Sequence, residues 1–224
     1  MTLRAILFDL DGTLVDTNDL HVEAWDRAFR EAGHDRTRDQ IHGQVGKGGD
    51  NLVPSLLPDL DEEAQEAIDD RHGEIYKGEL MRRARPLPGA RGLLQRAHDE
   101  GLQVVFASSA GGEEIDHYLG LLNAEELVTF TTGKDDVGSS KPSPDIFEAA
   151  LKKGGLRPEE AVVIGDTPYD VLAAKRAGVA CVGLLSGGFP EDELRTAGAA
   201  AIYRDAADLL DRWDELRTAI RNRA

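Results

Sequence analysis

Ala5-Ile6-Leu7-Phe8-Asp9-Leu10-Asp11-Gly12-Thr13-Leu14 joins a short apolar run to a pair of aspartates and an Asp-Gly turn. Ala5 to Phe8 has the composition of a buried strand, and Asp11-Gly12-Thr13 that of the turn that ends it. Open α/β sheets bind their ligands outside the carboxyl ends of the strands, so both carboxylates are expected in a binding crevice. Two residues apart along a strand, Asp9 and Asp11 point the same way. Like charges held that close do not both stay ionised unaided, so the pair requires either a bound cation or a proton retained at neutral pH. An EF-hand loop does not fit: it needs glycine sixth and glutamate twelfth, whereas Gly12 stands fourth and Leu20 twelfth from Asp9. The bland alternative is an ordinary Asp-Gly turn.

Downstream, Val22, Trp25, Ala28, Phe29 and Ala32 recur at helical spacing, and the spacing predicts a helix over Leu20 to Ala32 with cap candidates in Asp16 to Asp19. The chain stays helical and polar to about Arg83, broken by Gly46-Lys47-Gly48-Gly49, Pro54 and Pro58, with no strand pattern. Arg85-Pro86-Leu87-Pro88-Gly89 has the stiffness of a return linker. The expected organisation is therefore a core built from residues 1–15 and 86–224 with a helical domain inserted over 16–85.

After the linker, helix and strand alternate as a doubly wound parallel sheet demands. Helices are expected at Ala90–Glu100, Glu114–Leu122, Pro144–Lys153 and Asp170–Ala177. Strands are expected at Val104–Ala107, Leu127–Thr131, Ala161–Ile164 and Val179–Leu184. Ser143 with Pro144 suits a helix start, and Gly154-Gly155 its end. Leu209, Trp213, Leu216 and Ile220 mark a closing amphipathic helix. The fold class is α/β, a Rossmann-like doubly wound core with an all-helical insertion.

A chain of 224 residues is long enough to bury a substantial core without disulfides or a structural metal. Cys181 is the sole cysteine, which fits a reducing compartment. No apolar run approaches membrane-spanning length, and charge returns at Asp9 before a signal-peptide core could form, so a cytoplasmic protein without membrane association is expected. With 42 acidic against 26 basic residues and a formal charge of −16, the chain would repel a nucleic-acid backbone. A phosphate-bearing substrate meets the same field, so its site must be made positive locally by a divalent metal and placed lysines or arginines.

Three further polar clusters follow expected strands. Ser108-Ser109 offers hydroxyls and amides for phosphoryl oxygens, or simply caps the next helix. Lys141-Pro142 holds a lysine on restricted, extended backbone, or carries an ordinary surface lysine. Gly165-Asp166-Thr167-Pro168-Tyr169-Asp170 supplies two carboxylates suited to magnesium, or a helix N-cap with acidic first-turn residues.

In this order the four clusters resemble the motifs of the haloacid dehalogenase superfamily, over nearly the whole chain. Asp9-x-Asp11-Gly12-Thr13 is similar to its first motif, Ser108 to its second, Lys141-Pro142 to its third, and Gly165-Asp166 with Asp170 to its fourth. The helical insertion resembles the C1 cap of phosphoglycolate phosphatases, sugar phosphatases and β-phosphoglucomutases. The resemblance implies Asp9 as nucleophile, forming an aspartyl-phosphate, and Asp11 as general acid and then base. It implies Mg²⁺ held by the carboxylates of Asp9 and Asp166 and the main-chain carbonyl of Asp11, with Asp170 behind them or acting through water. Ser108, Ser109 and Lys141 would bind the transferring phosphoryl oxygens. Dehalogenases lack an aspartate at the place of Asp11, and phosphonatases also need a Schiff-base lysine in the cap, so phosphoryl transfer leads.

The expected substrate is a small phosphorylated metabolite, hydrolysed by a monomer or homodimer. A sugar-phosphate mutase is the alternative; the familiar mutase cap has an arginine near the position of Gly49, and its absence favours hydrolysis. A non-catalytic binding module on the same fold is the alternative of another class. Within the insertion, Lys47 is a candidate for a substrate anion, although Gly46-Lys47-Gly48-Gly49-Asp50 lacks the full P-loop pattern. His21 is a candidate cleft residue, Trp25 is expected in ordinary packing, and His34, His42 and His72 are expected at the surface, without zinc spacing.

Overall fold

The computed structural model describes residues 3–221. Its strands are β1 (Ala5–Phe8), β2 (Val15–Asp16), β3 (Arg85–Pro86), β4 (Gln103–Ala107), β5 (Phe130–Thr132), β6 (Ala161–Gly165), β7 (Ala180–Leu184) and β8 (Ala201–Tyr203). Its α-helices are α1 (Asn18–Glu31), α2 (Arg38–His42), α3 (Gly49–Leu56), α4 (Glu62–Ile75), α5 (Ala90–Asp99), α6 (Gly112–Leu122), α7 (Asp145–Gly154), α8 (Pro168–Arg176), α9 (Glu191–Ala197), α10 (Ala206–Asp211) and α11 (Trp213–Arg221). A π-helical turn, Tyr76–Leu80, continues α4.

Six strands form one parallel sheet in the order β5-β4-β1-β6-β7-β8. Strand order reverses at β1, which lies between β4 and β6, so the crevice for ligands opens at the end of the strand that carries Asp9. The strands are apolar on both faces because helices cover both. Ile6, Phe8, Val104, Phe106, Val162 and Ile164 pack on one side with α5, α6 and α10, while Ala5, Leu7, Val105, Ala107 and Val163 pack on the other with α7, α8 and α9. The first of these clusters runs on without a break into Val22, Trp25, Phe29, Leu52 and Ile68 of the inserted helices. β2 and β3 form a small antiparallel ribbon where the chain leaves the sheet region and returns, pairing Val15 with Pro86 and Asp16 with Arg85.

Several expectations need correction. The strand expected at Leu127–Thr131 is Phe130–Thr132; Leu127 and Val128 are spent on a turn, both donating their N–H groups to Ala124 O. α9 and β8 lie in a stretch where no element was expected, because β8 is three residues long and shows no alternation. The closing helix is two helices, α10 and α11, that meet at Arg212. The side chain of Ile220 lies outside the described residues. α1 is capped by Thr17, within the expected range of Asp16 to Asp19, although the Thr17 hydroxyl bonds Asp11 and not the helix. α7 is capped by Pro144, not Ser143, whose hydroxyl is bonded to Asp145. Pro54 sits inside α3 instead of breaking it. The helix end is secured by the Ser55 hydroxyl on Asn51 O (2.6 Å) and Leu57 N–H on Val53 O (2.8 Å).

Candidate active site

Parallel strands with short connections bring the polar clusters to one edge. Asp9 leaves β1 with its N–H on Ile164 O of β6 (2.9 Å), and Ser108 leaves β4 with its N–H on Thr132 O of β5 (3.2 Å). Asp166 directly follows β6, and Lys141 stands in the loop between β5 and α7, before a cis Pro142. Lys141 Nζ lies 2.7 Å from Asp9 Oδ1 and 2.6 Å from Asp170 Oδ1. Carboxylate oxygens of Asp9, Asp166 and Asp170 come within 4.8 Å of one another. All four side chains are buried.

Each carboxylate is held. Asp166 accepts from Thr13 Oγ1 (2.7 Å) and Asn18 Nδ2 (3.1 Å). Asp170 Oδ2 accepts from the Thr167 N–H (3.0 Å) and hydroxyl (2.7 Å), and Thr167 also caps α8. Gly12 allows this closeness. Its φ is +72°, and a Cβ there would lie 2.2 Å from Asp166 Oδ2, so both conformation and space demand glycine.

Burial pushes the Asp9 carboxyl up to about 7; Asp170 and Asp11 add to the rise and Lys141 opposes it. Burial, then Asp170 and Asp9, holds Asp166 well above the carboxylate range. Burial lowers Lys141, but the carboxylates of Asp170 and Asp9 outweigh it, and the ammonium stays protonated. Three clustered carboxylates thus share one buried cation that touches two of them, a donor set of oxygens alone that suits a hard divalent cation such as Mg²⁺.

Asp11 is arranged differently. Its Oδ1 accepts from Thr17 Oγ1 (2.6 Å), Tyr118 OH (3.1 Å) and His21 Nε2 (3.2 Å), and no hydrogen bond falls on Oδ2 among the described residues. Burial would raise Asp11, yet His21, Thr17 and Tyr118 together lower it. Burial would lower His21, and Asp11 reverses that. His72 is held well below the usual imidazole range by burial and by His21, so it is neutral. His21 therefore donates to Asp11 from Nε2, and its Nδ1 shares a hydrogen bond with His72 Nε2 (3.2 Å).

These groups open on a cavity of about 390 Å³ between the sheet edge and the inserted helices, lined among others by Asp9, Asp11, Ser108, Ser109, Lys141 and His21. The model of the haloacid dehalogenase-like hydrolases matches residues 6–184, from β1 to the end of β7. The chain belongs to the haloacid dehalogenase-like hydrolase family. Similar relatives include pyrophosphatase PpaX of Halalkalibacterium halodurans, 29% identical over 94% of this chain and 97% of the relative. Another is the phosphoglycolate phosphatase of Photorhabdus laumondii subsp. laumondii, 29% identical over 93% of this chain and 91% of the relative. A crystal structure of a hydrolase from Pseudomonas syringae superposes with a TM-score of 0.89 at 36% identity, covering 95% of this chain and 99% of that one.

Within this hydrolase, the structure brings together Asp9, Asp11, Ser108, Ser109, Lys141, Asp166 and Asp170 as the sequence led one to expect. His21 also reaches the cleft, bonded to Asp11. Lys47 lines the cavity, but its ammonium is engaged with Gln44 Oε1 (2.5 Å) and Ser55 Oγ (3.0 Å) and lies over the Tyr169 ring. Two histidines are not where they were expected. His72 lines the cleft, its ring 3.8 Å from that of Trp25, and His42 bonds Gly187 O (3.0 Å) and stacks on Phe189. Trp25, expected in packing, is buried and also borders the cavity.

Thr13 was read only as part of the first motif, Thr17 and Asn18 only as cap candidates, and Tyr76 and Tyr118 not at all. For Thr13, Thr17 and Asn18 a signal existed, since polar residues bunch directly after the aspartate pair. Tyr118 gave none, because with Ile115 and Leu122 it completes an ordinary apolar helix face.

Proposed function

We propose that this hydrolase is a Mg²⁺-dependent phosphatase that cleaves a small phosphorylated metabolite through an aspartyl-phosphate on Asp9. The observation that carries this reading is the ion pair of buried Lys141 with Asp9, set with Asp11 in the wall of the cavity. The relatives named as phosphatases support it.

Lys141 fixes Asp9 by Oδ1, and Asp9 Oδ2 makes no hydrogen bond among the described residues, so that oxygen is the one free to attack phosphorus. Asp11 presents Oδ2 in the same way to the leaving oxygen and then to the hydrolytic water, a proton role typically worth about 10²–10⁴-fold. Ser108 and Ser109 offer hydroxyls at the cavity wall, and the amino end of α6 opens beside them at Gly111 and Gly112, a field that favours phosphoryl oxygens. Asp9 and Asp166, with the main-chain carbonyl of Asp11, would hold the Mg²⁺, Asp170 standing behind them or acting through water, and the metal would supply positive charge to the phosphoryl group. Residues 16–85 act as a cap that shields the reaction from water over a core of 1–15 and 86–224.

Hydrolysis is favoured over mutase chemistry by Gly49. The Asp69 carboxylate takes the space beside it, 2.0 Å from where a Cβ would stand, so the wall there presents an acidic group and no arginine. The test is ³¹P NMR of the protein with Mg²⁺ and a pool of phosphorylated metabolites that includes phosphoglycolate and β-glucose 1-phosphate, with Asp9→Asn in parallel. Release of free phosphate that requires Asp9 is expected. Migration of phosphate without release would establish a mutase, and no turnover by either protein would favour a binding module.

A further inference from the structure

Asp11 Oδ1 takes hydrogen bonds from two neighbours in its own segment, Thr17 and His21, and one from far along the chain, Tyr118 of α6. A carboxyl group turns freely about its last side-chain bond unless it is tied, so the direction of Oδ2 depends on these donors. Tyr118 is fully buried, and its ring already fills the α6 face that packs with Ile115 and Leu122, a task phenylalanine would do equally well. The hydroxyl therefore calls for a separate explanation, since burying it unpaired is costly.

That hydroxyl has one proton. Asp11 Oδ1 only accepts, whether or not Oδ2 carries the catalytic proton, so Tyr118 gives its proton to Asp11 and must accept at its other contact, the short hydrogen bond with Tyr76 OH. Tyr76 belongs to the π-helical turn after α4, is fully buried, and has Tyr118 as the sole partner of its hydroxyl among the described residues. Its ring also stacks on His21 at 3.9 Å, with the planes 17° apart. One residue of the insertion thus braces two of the three donors on Asp11.

Resting on the reading that Asp11 does the proton work, we propose that Tyr118 is a positioning residue that aims Asp11 Oδ2 at the scissile oxygen, and that Tyr76 makes this aim depend on the insertion being seated. The chain runs Tyr76 to Tyr118 to Asp11. It orients a carboxyl group and transfers no proton of its own.

The test compares Tyr118→Phe and Tyr76→Phe with the wild type on two substrates. One is the alkyl phosphate turned over fastest in the metabolite pool, whose leaving alkoxide needs a proton. The other is p-nitrophenyl phosphate, whose phenolate leaves without one and is read as the pre-steady-state burst. For Tyr118→Phe, kcat on the alkyl ester should fall about 10-fold with KM within about 2-fold, while the burst rate stays at the wild-type value. Tyr76→Phe should show the same pattern, more weakly. Equal losses on both substrates would mean general damage to the site, and unchanged kcat on the alkyl ester would mean that the phenols only pack; either overturns the proposal. A wild type with no Asp9-dependent turnover of either ester would remove the phosphatase reading itself, and the proposal with it.

Discussion

Lys141 and Asp9 stand 132 residues apart in sequence and meet at 2.7 Å, the lysine only 1% exposed and shared with Asp170. A buried ammonium is tolerable because two carboxylates face it, and they in turn depend on it.

Lys141→Met should therefore act twice. Without the cation, Asp9, Asp166 and Asp170 lose their internal counter-charge, and breaking such a pair typically costs about 3–5 kcal/mol. Calorimetry in EDTA should show a large fall in Tm, and Mg²⁺ should restore part of it by mass action on the carboxylates. Turnover with Mg²⁺ should still fall by about 10²-fold or more, because the charge on the transferring group is no longer met.

Asp9→Asn should abolish turnover yet stabilise the metal-free protein. Burial holds the Asp9 carboxyl at about 7, so at pH 8 the folded state carries a desolvated anion that an amide replaces without charge. Melting in EDTA at pH 8 should give a higher Tm for the variant, and the gain in Tm on adding Mg²⁺ should shrink. A lower Tm in EDTA would contradict the electrostatic account.

Glu114 beside the cleft has its carboxyl pushed up to about 7 from 4.5, mainly by burial, with Asp11 adding and His21 opposing. Between those values the folded protein keeps a proton that the unfolded chain releases, so this group's contribution is full below 4.5 and lost as pH rises through 7. Glu114→Gln should leave Tm near the wild type at pH 5 and above it at pH 8. The expected gap is on the order of 1 kcal/mol, about 2–4 °C.

Gly49→Ala should destabilise by up to about 1 kcal/mol, since its methyl group would displace the Asp69 carboxylate from its ion pair with Lys134 at 3.1 Å. Asp69→Ala in the same chain should recover most of the loss, a coupling that denaturant titration of the four proteins in the cycle would measure.

The aspartate turn, the serine pair, Lys141 and the Asp166 loop were legible because each follows a strand or a loop whose composition is local. β8 and α9 were not, being too short to show a period. Among site residues, His72 carried no spacing signal, and it stacks on Trp25, 47 residues earlier. Tyr118 was hidden for the opposite reason, because its spacing with Ile115 and Leu122 describes packing well and says nothing of the hydroxyl.

By itself the sequence determined that apolar strands end in carboxylates, in an order that a parallel sheet gathers at one edge, because periodicity and turn chemistry act over a few residues. Tertiary structure alone decided which oxygen of Asp11 is tied, that His72, Tyr76 and Tyr118 stand behind it, and that Asp69 closes the space at Gly49. Those relations depend on where inserted helices settle against α6 and the sheet edge, a matter of packing between segments far apart in the chain.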